Sequence, residues 1–202
     1  ISKGKIEECL TLLAIGNLDE IKRIFKVLNN HTIAKEKIEE CLIVLAEGKA
    51  DEIERIFKVL NDYEISKEAI EGCLTVLAVG KADEIEKIFK VLKDYKISKK
   101  AIERCLSVLA RGKADEIEKI FIVLKEYQIP KEAIEGCLSV LAVGKADEIE
   151  KILQVLLKDH KISKEATEGC LTILAHGKAD EIEKIFEVLD EHEITKEKIE
   201  GC

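Results

Sequence analysis

Seven cysteines, four histidines and a recurring Gly-Lys pair are the residues of this 202-residue chain with the chemistry for metal binding, nucleophilic catalysis or phosphate capture. The cysteines stand at Cys9, Cys41, Cys73, Cys105, Cys137, Cys170 and Cys202, 32 residues apart except for one step of 33. A thiolate metal site needs its ligands close together, usually as C-x-x-C pairs, and one sulfur per 32 residues does not supply them. Stacked helices lie about 8–10 Å apart, beyond the roughly 7 Å between Cα atoms that a disulfide spans. The expectation is seven small apolar packing residues in a reducing compartment, and no metal. His31, His160 and His192 take the place that Tyr63, Tyr95 and Tyr127 fill elsewhere, so they read as interchangeable rings near a helix end. No nucleophile, base and orienting acid form a constellation, so neither an enzyme nor a cofactor is expected. Gly80-Lys81 ends like a phosphate-binding loop, but that loop needs a glycine where Thr75 stands and a hydroxyl residue where Ala82 stands.

The cysteine spacing is the period of the whole chain. Full copies run 1–32, 33–64, 65–96, 97–128, 129–161 and 162–193, with a partial copy at 194–202, and the extra residue of the fifth lies in Leu156-Leu157. In the third copy Ile70, Cys73, Leu74, Leu77 and Ala78 have the spacing of an amphipathic helix, and Ile85, Ile88, Phe89 and Leu92 repeat it in a second helix. Ser66 is placed to cap the first helix, and Gly80 to end it in the left-handed conformation. Asp83 and Glu84 suit the N-terminus of the second helix, where the helix dipole favours negative charge. A helix pair this short is too small to fold unaided, so its apolar stripe must be covered by the next copy. The expected fold is all-α: a right- or left-handed α-solenoid superhelix of 32-residue helix-turn-helix repeats, one array over residues 1–202.

With 47% hydrophobic residues, 37% charged residues and one proline, the composition is that of a folded, helix-rich protein. The longest apolar runs, such as Leu42 to Ala46, are far too short to span a bilayer, and no signal-peptide pattern opens the chain. The expected location is intracellular, in cytoplasm or nucleus. A start at Ile1 and a stop at Cys202 in mid-helix imply a piece of a longer array.

Around the turn between the helices the copies read LAIGNLDE, LAEGKADE, LAVGKADE, LARGKADE, LAVGKADE and LAHGKADE. The residue before the glycine is Ile15, Glu47, Val79, Arg111, Val143 or His176, acid, base and aliphatic by turns in a nearly fixed frame. Glu40, Gly72, Arg104 and Gly136 also vary on the first helix, as do Thr32, Glu64, Lys96 and Gln128 between copies. Solvated drift would produce such variation, and so would a code of one residue per copy.

The run Gly80 to Leu92 (GKADEIEKIFKVL), with the opening Ile65-Ser66-Lys67-Glu68, resembles the repeat of TAL-effector-like DNA-binding proteins. Those repeats carry base-reading residues just before a Gly-Lys turn. The copies here are slightly shorter, with one glycine where that family has two and one variable residue where it has a pair. Gly16-Asn17-Leu18-Asp19-Glu20 followed by Ile24-Phe25 is similar to the second helix of pentatricopeptide RNA-binding repeats, which would make RNA the partner.

The first resemblance implies duplex DNA as partner, read by Ile15, Glu47, Val79, Arg111, Val143 and His176. Phosphates would be met at Gly16, Gly48, Lys49, Gly80, Lys81, Gly112, Lys113, Gly144, Lys145, Gly177 and Lys178, where a lysine neighbours the N–H groups of a helix N-terminus. A net charge of -8 is the wrong sign for a polyanion partner, and the second and sixth copies hold most of the acid. The alternative is a protein-interaction scaffold that takes a partner on its concave face. Neither reading involves a membrane or a small-molecule substrate.

Overall fold

The computed structural model describes residues 17–40, 48–74, 80–169, 171 and 176–200. Every element among them is a helix, arranged in pairs that recur with the 32-residue period. The second helices are α1 (Leu18–Asn30), α3 (Ala50–Asp62), α5 (Ala82–Asp94), α7 (Ala114–Glu126), α9 (Ala146–Leu153) and α11 (Ala179–Glu191). The first helices are α2 (Lys35–Glu40), α4 (Lys67–Gly72), α6 (Lys99–Leu109), α8 (Lys131–Leu141), α10 (Lys164–Gly169) and α12 (Lys196–Glu200).

The chain divides into two compact units, Ile1–Leu92 with Ile102–Arg111, and Lys93–Ala101 with Gly112–Cys202. In the first, α1 packs on α3. In the second, α7 packs on α9 and α9 on α11. In these pairs a second helix meets the second helix of the next copy, as a stripe too small to fold alone requires. Ile53, Ile56, Phe57 and Leu60 are fully buried in the first unit, and Ile120, Phe121, Leu124, Ile149, Ile152 and Leu153 in the second. Ser66 caps α4 as expected, its hydroxyl accepting from the Ala69 N–H at 3.4 Å. Ser98 and Ser163 do the same for Ala101 and Ala166.

The left-handed residue expected at Gly80 is elsewhere. Among the described residues no glycine has a positive φ, whereas Thr32, Glu64, Lys96, Gln128, Lys161 and Glu193 have φ between 52 and 56°. These sit where the second helices end. After α7 the Gln128 N–H donates to Lys125 O and the Ile129 N–H to Leu124 O, both at 2.9 Å, the paired bonds of a Schellman ending. The first helices instead tighten by i→i−3 bonds, Arg111 N–H to Val108 O at 3.0 Å and Gly144 N–H to Leu141 O at 3.1 Å. That exit needs no left-handed residue.

A side-chain-bearing residue held left-handed costs roughly 1–2 kcal/mol, partly offset because glycine has more freedom to lose on folding. Gln128→Gly is therefore expected to stabilise the chain by about 1 kcal/mol and to raise the melting temperature by about 2–4 °C. A lower melting temperature in a thermal melt would contradict the assignment.

The extra residue of the fifth copy is absorbed as a turn of π-helix, Gln154–Asp159, which continues α9. The Ile162 N–H then reaches back to Leu156 O at 2.8 Å, one residue further than its equivalents. The ladder lengthens locally and the phase of the next copy is kept.

The Tyr/His position is a packing site within each unit. His31 stacks on Phe57 at 4.1 Å and Tyr63 meets Phe89 edge-on at 4.9 Å in the first unit. Tyr95 meets Phe121 at 4.7 Å and His160 stacks on Phe186 at 3.9 Å in the second. Burial lowers the His31 pKa from its usual 6.5 despite the opposing pull of Glu54. The neutral ring is thus the form the fold prefers, so its contribution is intact above about 6.5 and is lost as pH falls through the lowered value. The urea midpoint is expected to drop between about pH 7.5 and pH 5.5, and to drop less in His31→Tyr. Equal drops in the two proteins would contradict this.

Candidate functional site

The turns between first and second helices hold most of the residues singled out from the sequence. Arg111, Val143 and His176 are exposed, Val143 by 55% of its surface. Ile15, Glu47, Val79 and Gly16 lie outside the described residues. Lys49, Lys81, Lys113, Lys145 and Lys178 are all exposed. Four of them, Lys49, Lys113, Lys145 and Lys178, hold the N-cap position with extended backbone and no side-chain capping bond. Of the glycines expected to meet phosphates, Gly48, Gly80 and Gly144 are buried, and Gly112 and Gly177 half-buried. Packing covers Gly48, Gly80 and Gly144, and the lysine of each Gly-Lys pair meets solvent.

The helix N-termini are also occupied. Glu20 Oε1 accepts from the Ala50 N–H at 2.6 Å, and Glu52 from the Ala82 N–H at 2.6 Å, in the first unit. Glu116 accepts from Ala146 at 2.7 Å and Glu148 from Ala179 at 2.6 Å in the second. These four first-turn glutamates each cap the following copy's second helix, taking an N–H that would otherwise be open to an anion. Arg23 and Arg55 tie the same junctions by pairing with Asp51 and Asp83 of the next copy.

A second row of carboxylates runs the other way along the first helices. Glu71 accepts from the Ala34 N–H at 2.8 Å, and Glu103 from the Ser66 N–H at 2.7 Å. Glu135 accepts from the Ser98 N–H at 2.7 Å and the Ser98 hydroxyl at 2.8 Å. Burial works to raise the Glu135 pKa, but these bonds and nearby Lys131 outweigh it and hold the carboxyl below its ordinary value. Neither row follows from helix-dipole chemistry, which accounts for Asp83 and Glu84 within one helix only. The signal was there: every full copy has glutamate at its seventh and twentieth positions.

The cysteines are packing residues where they are described. Cys73, Cys105 and Cys137 are buried, and the Cys73 and Cys137 thiols donate to Ile70 O at 3.4 Å and Ala133 O at 3.2 Å. Cys9, Cys41, Cys170 and Cys202 lie outside the described residues. No group of three His, Cys, Asp or Glu side chains among the described residues is arranged to hold a metal ion. None of the described helices is long and apolar enough to cross a membrane.

On the outer face of the first helices, Glu40, Gly72, Arg104, Gly136 and Gly169 are exposed. A Cβ added at Gly72, Gly136 or Gly169 would meet nothing within 4 Å, so intramolecular packing does not require glycine there. No protein-family model, curated protein or solved structure matches the chain, and what its sequence and structure establish is an all-α tandem repeat of helix pairs with a 32-residue period.

Proposed function

We propose that the chain is a modular nucleic-acid-binding repeat protein that reads duplex DNA, each copy offering its variable turn residue to one base. The exposure of Arg111, Val143 and His176 at equivalent places in near-identical turns carries this reading. Core packing does not choose these three side chains, yet they are cationic, aliphatic and titratable in turn. An exposed lysine two residues further on gives each of these copies a contact for the backbone. The resemblance of GKADEIEKIFKVL to TAL-effector-like repeats supports the same partner.

The glutamate caps favour a second reading, a scaffold for a protein partner. They remove N–H groups that a phosphate would use, and the net charge of -8 works against any polyanion. Filter binding of the chain to randomised duplex, single-stranded DNA and RNA pools across a salt series separates the two. Retention of duplex that weakens with salt is the expected result, and no retention of any pool at low salt would leave the scaffold.

A further inference from the structure

The variable turn residue does not vary alone. Seven positions before it, on the outer face of the same first helix, stands a residue that changes with it: Glu40 with Glu47, Gly72 with Val79, Arg104 with Arg111, Gly136 with Val143, Gly169 with His176. Charge accompanies charge of the same sign, and glycine accompanies an aliphatic or imidazole side chain. The first copy, with Glu8 and Ile15, departs from the pattern.

Seven residues span nearly two helical turns, about 10 Å of axis, and the turn residue stands two positions past the last residue of α6 or α8. In α6 and the turn that follows it Arg104 and Arg111 are both exposed, with exposed Ser107 between them. In α8 and its turn Gly136 and Val143 are both exposed. Like charges repel each other mildly, and a glycine inside a helix weakens it. The open space around the glycine Cβ positions shows that packing does not impose glycine there.

We infer that each copy reads with this pair and not with the turn residue alone, an inference that rests on the duplex-reading function. The turn residue meets a base edge. Its partner, two helical turns away and on a scale comparable to the roughly 12 Å major groove, meets the flanking phosphate or a neighbouring base edge. Arg104 and Arg111 together then suit a guanine with its adjacent phosphate. Gly136 and Val143 let the helix come close to a thymine methyl, with no side chain in the way.

The test is selection from a randomised duplex pool by the wild-type chain, Arg104→Ala, Arg111→Ala, and the paired exchange Gly136→Arg with Val143→Arg. Both single substitutions are expected to relax preference at the same target position or its immediate neighbour, by about tenfold each. The paired exchange is expected to move the fifth copy's preference to that of the fourth, and Val143→Arg alone to move it only in part. All four sites are exposed, so circular dichroism should show the fold unchanged. If the wild-type chain selects a sequence and Arg104→Ala selects the same one, the pair is wrong while the duplex reading stands. If the wild-type chain selects none, the duplex reading fails and the pair falls with it.

Discussion

Phe121→Ala is expected to destabilise the chain by about 3–5 kcal/mol, as loss of a large buried ring does. Phe121 is 1% exposed and lies 4.7 Å from the Tyr95 ring of the preceding copy, within one unit. Its removal empties a layer between two copies that hold each other up, and neither has a separate core to fall back on. The neighbouring residue gives the control. Ile122 is 45% exposed at a position where the third copy has Lys90, so Ile122→Lys is expected to change stability by no more than about 0.5 kcal/mol. Urea titrations of the two variants check the contrast. Similar losses would mean that the second helices are not buried along this stripe.

Arg111→Ala is expected to relax base preference at one position of a bound duplex and to cost about 1–3 kcal/mol there, the value of a bidentate contact to guanine O6 and N7. Lys113→Ala, two residues away and also exposed, is expected to weaken all sequences alike and to lower the salt slope by about one. The same reasoning gives Glu47 a cytosine amino group, and Ile15, Val79 and Val143 a thymine methyl. Pitch sets a demand on the complex: copies stacked about 10 Å apart must serve bases that rise about 3.4 Å along a strand. The reading therefore requires the repeats to follow the groove at a radius where the path is longer. Fluorescence anisotropy against duplexes differing at single positions distinguishes the two substitutions. Identical, sequence-independent effects would return Arg111 to the role of a solvated surface residue.

Period, helix pairs and core stripe were legible because all three follow from the spacing of apolar side chains, which backbone geometry dictates. Ile85, Ile88, Phe89 and Leu92 are buried as their spacing predicts. Ser66 was legible because an N-cap is local chemistry within three residues. The left-handed turn was not, because no residue type marks it: threonine, glutamate, lysine and glutamine occupy it in turn where glycine would be easiest. The carboxylate rows were hidden for a different reason. Their bonds join residues 30, 31 or 37 apart, offsets that acquire meaning only once the stacking of successive copies is known. Of the candidate interface, the exposure of Arg111, Val143 and His176 was legible from the variability of that position. The burial of Gly80 and Gly144 was not, since a glycine in a turn gives no sign of what packs over it.

The most direct measurement is sequence selection from a randomised duplex pool by the intact chain, repeated with Arg111→Ala. The account predicts a defined preferred sequence for the intact chain, and for the variant the same sequence with one position relaxed. Enrichment of no sequence at low salt, or an unchanged preference in Arg111→Ala, would contradict it.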